Sequence, residues 1–128
     1  MAPAPRIHLI AAVGKRGQIG IDGTMPWLDD ETMAWFRELT FGDIVVLGRR
    51  TFETTRCWAD REKLCMSRAE SPSDIINRYI DRKIIWIGGG ATIYKLWLPF
   101  VEVSLIRQVS YDGPADVWMP NLWFPDRG

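Results

Sequence analysis

The sequence has little of what marks secreted, metal-binding or nucleic-acid-binding proteins. It contains two cysteines, Cys57 and Cys65, which are too few for a disulfide framework or a metal site. We therefore expect free thiols in a reducing compartment and no bound metal. Its 16 Lys and Arg residues balance 16 Asp and Glu residues. This zero net charge gives no indication of binding to nucleic acid or to a membrane surface.

Long hydrophobic runs are also missing. The first apolar stretch, residues 7–13, includes His8 and is no longer than a strand. Neither a signal peptide nor a transmembrane helix is expected, and the cytoplasm is the expected location. The 128 residues suit one domain, spanning 1–128, with one core. A hydrophobic fraction of 47% argues against disorder.

The sequence does contain short apolar runs that alternate with helical patterns. The runs typical of buried strands are 7–13, 44–47, 64–66, 84–87 and 103–109. Helices are predicted over 31–40, from 49 onward, and over 73–79 and 91–98. The first would turn Thr32, Met33, Phe36 and Leu39 to one face, and Ser71 or Ser73 would cap the third. This alternation predicts an α/β fold with a mainly parallel sheet. The glycine-rich segment 14–25 is expected to be a functional loop, and the chain after Tyr111 is expected to be coil.

Residues suited to anions follow three of the predicted strands. Gly48, Arg49, Arg50 and Thr51 follow the second strand, Ser67 and Arg68 the third, and residues 88–92 (GGGAT) the fourth. Ligands of open α/β sheets bind beyond the carboxyl ends of strands. Guanidinium groups and free backbone amides bind phosphate there, and glycines permit close approach. The pattern predicts a phosphate-rich cofactor, although it is neither the Rossmann fingerprint nor a P-loop.

Seven segments, in this order and spacing, give the chain a specific resemblance to the dihydrofolate reductase family over residues 7–120. They are HLIAA (8–12), IG (19–20), MPW (25–27), WFRELT (35–40), LGRRTFE (47–53), MSR (66–68) and GGATIY (89–94). The resemblance implies a three-layer sandwich in which helices flank a mainly parallel central sheet, here shortened at the C-terminal end.

The resemblance also implies NADPH as the cofactor. Arg49, Arg50, Ser67 and Arg68 would hold the adenosine 2′-phosphate side, where Gly48 and Thr51 also lie. The pyrophosphate would be held by Gly89, Gly90, Ala91, Thr92 and Ile93. Gly89-Gly90 would be the family's cis glycine pair. Ala12, Ile19 and Gly20 would lie along the nicotinamide. Segment 14–25 would be a mobile lid, and Asp116 resembles the acid that pins it closed.

The substrate pocket departs from the family at three positions. The family's single acid near the start of the first helix, which pairs with the amidine-like edge of the pterin, is replaced by Thr32. Asp30 and Glu31 are adjacent, but each helical residue turns by about 100°, so neither should point into the pocket. A threonine of the fifth strand is replaced by Arg107, and a branched aliphatic residue by Gly88. Arg107 is expected to favour a carboxylate or phosphate.

These changes favour an NADPH-dependent reductase acting on an anionic or carbonyl-bearing small molecule, in a specialised biosynthetic pathway. Thr32, Tyr94 or a water would donate the proton, and Arg107 would orient the substrate. The remaining pocket residues would be Ile10, Trp27, Met33, Phe36, Thr55, Arg61 and Gly88, with Arg61 as a candidate for gripping the substrate tail. One alternative is a divergent dihydrofolate reductase that reduces 7,8-dihydrofolate with Glu31 or a water replacing the acid. Another is a non-redox catalyst, such as a cyclase or isomerase, or a cofactor-binding module.

The family's last antiparallel hairpin is expected to be missing, because the sequence ends soon after Pro120. Its loss would expose an edge of the sheet. A homodimer, or the segment from Trp118 to Phe124 folding back, is expected to cover that edge.

Overall fold

The computed structural model describes residues 4–20, 30–54 and 61–119. The strands are β1 (Arg6–Val13), β2 (Gln18–Gly20), β3 (Ile44–Leu47), β4 (Glu62–Cys65), β5 (Ile84–Ile87), β6 (Val103–Gln108) and β7 (Val117–Trp118). The helices are α1 (Asp30–Thr40), α2 (Arg49–Thr54), α3 (Pro72–Arg78) and α4 (Ala91–Trp97), and a 3₁₀ turn covers Leu98–Phe100. No helix within these described ranges is long and apolar enough to cross a bilayer.

Five strands form one parallel sheet in the order β4-β3-β5-β1-β6. Strand β3 is buried throughout, and β1 is buried over Leu9 to Val13. Both therefore read as continuous apolar runs in the sequence. The parallel α/β prediction is confirmed. Because β1, β3 and β5 are adjacent, the segments that follow them lie side by side at one edge of the sheet.

The segment after Tyr111 is not entirely coil, so that prediction was wrong. Strand β7 pairs antiparallel with β2, and backbone bonds extend the pairing, from Met119 N–H to the Gly17 carbonyl and from Asp116 N–H to the Gly20 carbonyl. Met119 is fully buried. A short apolar stretch among Pro, Gly and Asp residues thus gains its strand structure from tertiary pairing, which local composition does not indicate.

Two hydrophobic clusters lie on opposite faces of the sheet and create the three layers. One joins α3 and α4 to the sheet through residues such as Ile75, Ile93 and Trp97. The other contains Phe36 of α1, with Phe52 of α2 packed against it. The fully buried Trp97 donates its indole N–H to the sulfur of Met66 at 3.3 Å.

Helix α1 turns a slightly different face to the sheet than the sequence predicted. Its buried residues are Thr32, Phe36 and Thr40, whereas Leu39 is 36% exposed. Thr40 tolerates burial because its hydroxyl donates to the Phe36 carbonyl at 2.9 Å. The buried stripe therefore has a spacing of four residues, which brings Thr32 over the sheet.

Candidate active site

The glycine-rich segments after β3 and β5 lie against each other. The Gly48 N–H donates to the Gly89 carbonyl at 2.8 Å. The Gly89-Gly90 peptide is cis, as the family resemblance implied, and Gly89 has a φ of 113°. A Cβ added at Gly89 would lie 3.0 Å from the hydroxyl oxygen of Tyr94, and one at Gly48 would lie 3.1 Å from Cγ1 of Ile93. Side chains larger than hydrogen do not fit this junction without displacing Tyr94 or Ile93.

Predicted phosphate-binding residues border this junction on the solvent side. Arg49, Arg50, Ser67, Arg68 and Thr92 are exposed, and Thr51, Gly90 and Ala91 are half-buried. Arg49 makes a 3.5 Å ion pair with Glu53, but its side chain is 87% exposed. Such a surface pair contributes about 0–1 kcal/mol, so it holds Arg49 only weakly and leaves it available to an anion.

A carboxylate occupies part of the turn after β4. Glu70 accepts a 2.8 Å hydrogen bond from the Ser67 backbone N–H and pairs with Arg78 at 2.6 Å. The Ser67 backbone bond, followed by the Arg78 side-chain bond, lowers the pKa of Glu70. The Ser67 amide is therefore engaged, and the exposed Arg68 guanidinium is the group of this turn best suited to a phosphate.

The end of β1 and strand β2 supply the predicted nicotinamide-side residues, which are Ala12, Ile19 and Gly20. All three are buried. Below them, the Tyr94 hydroxyl donates to the Ile10 carbonyl at 2.9 Å, and full burial raises the Tyr94 pKa. In this arrangement Tyr94 is a neutral hydrogen-bond donor and a weaker acid than an exposed tyrosine.

The segment before β2 is anchored to the segment before β7. The amide nitrogen of the fully buried Gln18 lies 3.3 Å from Asp112 Oδ1 and 3.1 Å from the Gly113 carbonyl. Arg16 pairs with Asp112 at 2.7 Å, and this hydrogen bond is the main cause of the lowered Asp112 pKa. Sequence analysis missed Gln18, because a lone glutamine in a glycine-rich loop carries no pattern.

Thr32 and Arg107, the two changed positions, contact each other. The Arg107 Nε donates to Thr32 Oγ1 at 3.1 Å, although 75 residues separate the two in sequence. Thr32 is 1% exposed, and the Arg107 side chain is 32% exposed. The contact follows from the fold, because α1 packs over the sheet while Arg107 lies next to Ala12 of β1.

Glu31 and Trp35 hold the other sides of the same guanidinium. A Glu31 carboxylate oxygen lies 3.3 Å from an Arg107 terminal nitrogen, with the Glu31 side chain 80% exposed. The Arg107 carbon Cζ lies 6.0 Å from the centre of the Trp35 ring. Glu31 thus points outward, as its helical position predicted. Its pairing with Arg107, and the part played by Trp35, were not foreseen.

The other predicted pocket residues divide into three groups. Phe36 is buried, Met33 is half-buried beside it, and Ile10 is fully buried in the same cluster. Gly88 follows β5, and the side chains of Val45 and Leu47 fill the space beside it. A terminal nitrogen of Arg61 donates to the Arg37 carbonyl at 3.2 Å, so α1 holds this candidate for gripping a substrate tail. Trp27 and Thr55 lie outside the described residues.

Comparisons with known proteins identify the family. The sequence model of the dihydrofolate reductase family matches residues 6–125. A dihydromethanopterin reductase of Methylorubrum extorquens is 30% identical over 125 residues, which cover 91% of this chain and 92% of that protein. A dihydrofolate reductase of Haemophilus influenzae is also 30% identical over 125 residues, covering 89% of this chain and 78% of that one.

A solved structure agrees with the sequence matches. Dihydrofolate reductase from Enterococcus faecalis, complexed with NADP(H) and RAB-propyl, has a TM-score of 0.79 and 25% sequence identity to this chain. The match covers 90% of this chain and 77% of that one. Together with the cis glycine pair and the parallel sheet, these matches show that the chain belongs to the dihydrofolate reductase family.

Proposed function

We propose that this protein uses NADPH to reduce the C=N bond of a dihydropterin other than 7,8-dihydrofolate, and that the substrate is of the dihydromethanopterin type. The observation that carries the proposal is the partly buried hydrogen bond between Thr32 and Arg107. It occupies the place where the family resemblance expects a carboxylate and a threonine. A dihydropterin bears a ring carbonyl, as the carbonyl-bearing substrate class inferred from the sequence requires.

The residues at the cofactor site fit NADPH. The Gly48–Gly89 junction has no room for larger side chains, which suits close passage of a pyrophosphate. Exposed Arg49, Arg50 and Arg68 are suited to a 2′-phosphate. The buried Ala12 and Ile19 offer an apolar surface to a nicotinamide ring. When bound, the cofactor would supply a hydride, and these residues would orient it and exclude water.

Proton delivery in this pocket differs from that of a carboxylate site. Thr32 cannot ionise at neutral pH, and burial raises the pKa of Tyr94. We propose that the proton reaches the substrate from a water held by Thr32, with the Arg107 guanidinium orienting both. Because water and threonine are weak acids, the reaction would suit a substrate whose ring nitrogen takes a proton readily.

A curated relative supports the substrate choice. The match to the dihydromethanopterin reductase is 30% identical and extends over 92% of that protein.

The test is steady-state kinetics with NADPH and either dihydromethanopterin or 7,8-dihydrofolate, followed through NADPH absorbance. We expect kcat/KM for dihydromethanopterin to exceed that for dihydrofolate by about 100-fold, the loss typical of removing a charged contact. An NADPH-binding titration is the control for a folded cofactor site. Equal or faster turnover of dihydrofolate would contradict the proposal.

A divergent dihydrofolate reductase is the second candidate, and the position of Glu31 favours it. Its carboxylate points outward but pairs with Arg107 at 3.3 Å, which keeps an acid beside the Thr32–Arg107 hydrogen bond. In that case Glu31→Gln would lower dihydrofolate turnover by about 100-fold or more, whereas Thr32→Val would not. Under our proposal, the wild-type protein reduces dihydrofolate poorly, and both variants reduce it equally poorly.

We also propose that the protein forms a homodimer through β6. This strand is an edge of the sheet among the described residues, and Val103, at its start, is 37% exposed. Unpaired strand edges are usually covered. Sedimentation equilibrium would report a mass of twice 14.7 kDa if the proposal holds and the monomer mass if it does not.

A further inference from the structure

The hydrogen bonds of Arg107 leave part of its guanidinium available to a ligand. An arginine has five N–H donors. Here Nε donates to Thr32 and one terminal nitrogen pairs with Glu31. The other terminal nitrogen makes no hydrogen bond to the residues that the structure describes. The Arg107 side chain is 32% exposed, so its remaining N–H donors are within reach of a ligand.

The charge around Thr32 is positive. Thr32 itself is neutral and 1% exposed. The balancing carboxylate of Glu31 is 80% exposed, so water screens it strongly. The Arg107 side chain is less exposed than that of Glu31, and its Nε lies 3.1 Å from Thr32 Oγ1. A ligand edge that reaches the exposed part of Arg107 therefore meets a cation and hydrogen-bond donors.

We infer that Arg107 determines ligand specificity by binding the acceptor edge of a 2-amino-4-oxopteridine, and that it excludes rings with a cationic diamino edge. The inference rests on the proposed function in taking the substrate to be a pterin. The acceptor is the C4 carbonyl oxygen, and its binding leaves the neighbouring N5 free to take the proton. The 2,4-diaminopteridine ring carries an amino donor in place of this carbonyl acceptor, and its protonated pyrimidine ring adds a positive charge that Arg107 repels.

Trp35 and Glu31 fix the direction of that guanidinium. The Trp35 ring lies 6.0 Å from Arg107 Cζ, and the Glu31 pair holds one terminal nitrogen. Together with the hydrogen bond from Nε to Thr32, these contacts restrict the Arg107 side chain before a ligand binds. Less conformational entropy is therefore lost on binding. Arg107 is therefore preorganised for a planar acceptor edge.

The inference predicts unequal affinities of the protein for two rings that differ only in the group at C4. Tryptophan fluorescence of the NADPH-bound protein would be titrated with 2-amino-4-oxopteridine and with 2,4-diaminopteridine. We expect the wild-type protein to bind the oxo ring about 100-fold more tightly than the diamino ring. Comparable binding of the two rings would overturn the inference while leaving a pterin substrate in place. Failure to bind either ring would overturn the proposed function as well.

Two Arg107 variants separate charge from hydrogen bonding. Arg107→Met removes the charge without burying a new one, and we expect the preference for the oxo ring to fall at least tenfold. Arg107→Lys keeps the charge but loses the planar set of N–H donors, and we expect it to retain only part of the preference. The double variant Thr32→Asp/Arg107→Thr restores the residue types of carboxylate-bearing relatives, and its preference should reverse. Thermal melts establish that each variant is folded, and an unchanged ratio in folded Arg107→Met would overturn the inference.

Glu31→Gln distinguishes the inference from a relocated acid. If Glu31 were the acid that binds a cationic ring, this substitution would weaken diaminopteridine binding by about 100-fold. We instead expect diaminopteridine binding to stay weak and within about threefold of wild type. Loss of measurable diaminopteridine affinity in Glu31→Gln alone would assign ring recognition to Glu31 and overturn the role given to Arg107.

Discussion

Replacing Gly88 with alanine should destabilise the protein, because the space beside this glycine is already filled. A Cβ at Gly88 would lie 2.8 Å from Cδ2 of Leu47 and 2.8 Å from Cγ1 of Val45. Both distances are far below the roughly 3.5–4 Å optimum for two carbon atoms. Val45 and Leu47 are fully buried, so neither moves without displacing its own neighbours. Overpacking of this kind costs about 1–3 kcal/mol.

The cost can be measured by thermal and denaturant unfolding. For a chain of this length, each kcal/mol lowers Tm by about 4 °C. Val45→Ala removes the methyl group that the new Cβ would meet. In a double-mutant cycle with Gly88→Ala, the combined loss should fall short of the sum by about 1 kcal/mol. Strict additivity, or a Gly88→Ala variant as stable as wild type, would refute the reasoning and show that the space beside Gly88 is open.

Three further substitutions test the packing and electrostatics of the fold. Trp97→Ala should cost about 3–5 kcal/mol in denaturant unfolding, and a loss below about 1 kcal/mol would contradict the packing described for it. Gln18→Leu should cost about 1–3 kcal/mol, because its polar partners lose their hydrogen bonds; an unchanged denaturation midpoint would contradict this. Burial, and then the Arg6 charge, lowers the pKa of His8 from 6.5. Neutral His8 therefore supports stability fully above that value, and the support declines as pH falls below it. The stability difference between wild type and His8→Phe should follow this decline, and a pH-independent difference would contradict it.

The parts of the fold that sequence predicted best are those with a local cause. Strand β3 is four buried apolar residues in a row, and a strand buried on both faces leaves that trace in the sequence. Helix α3 is capped by Ser71, whose side chain and that of Asp74 form a capping box, and Ser71 was one of two predicted caps. The cis Gly89-Gly90 peptide was implied by the family resemblance, since no local pattern indicates it.

The parts that sequence could not predict depend on distant contacts. Strand β7 exists because Val117 and Trp118 meet β2, about 100 residues earlier in the chain. Helical periodicity located the buried face of α1 but did not tell whether Leu39 or Thr40 completes it. Likewise, only the family resemblance paired the changes at Thr32 and Arg107. Their hydrogen bond follows from packing α1 over β1 and β6, which no sequence spacing encodes.

The central claim is that the Thr32–Arg107 pair, in place of a carboxylate and a threonine, sets the substrate. The most direct measurement is the ratio of kcat/KM for dihydromethanopterin to that for 7,8-dihydrofolate, in wild type and in Thr32→Asp/Arg107→Thr. Our account predicts that the double variant shifts this ratio toward dihydrofolate by at least about tenfold, with NADPH affinity unchanged. An unchanged ratio in a folded, NADPH-binding variant would contradict it.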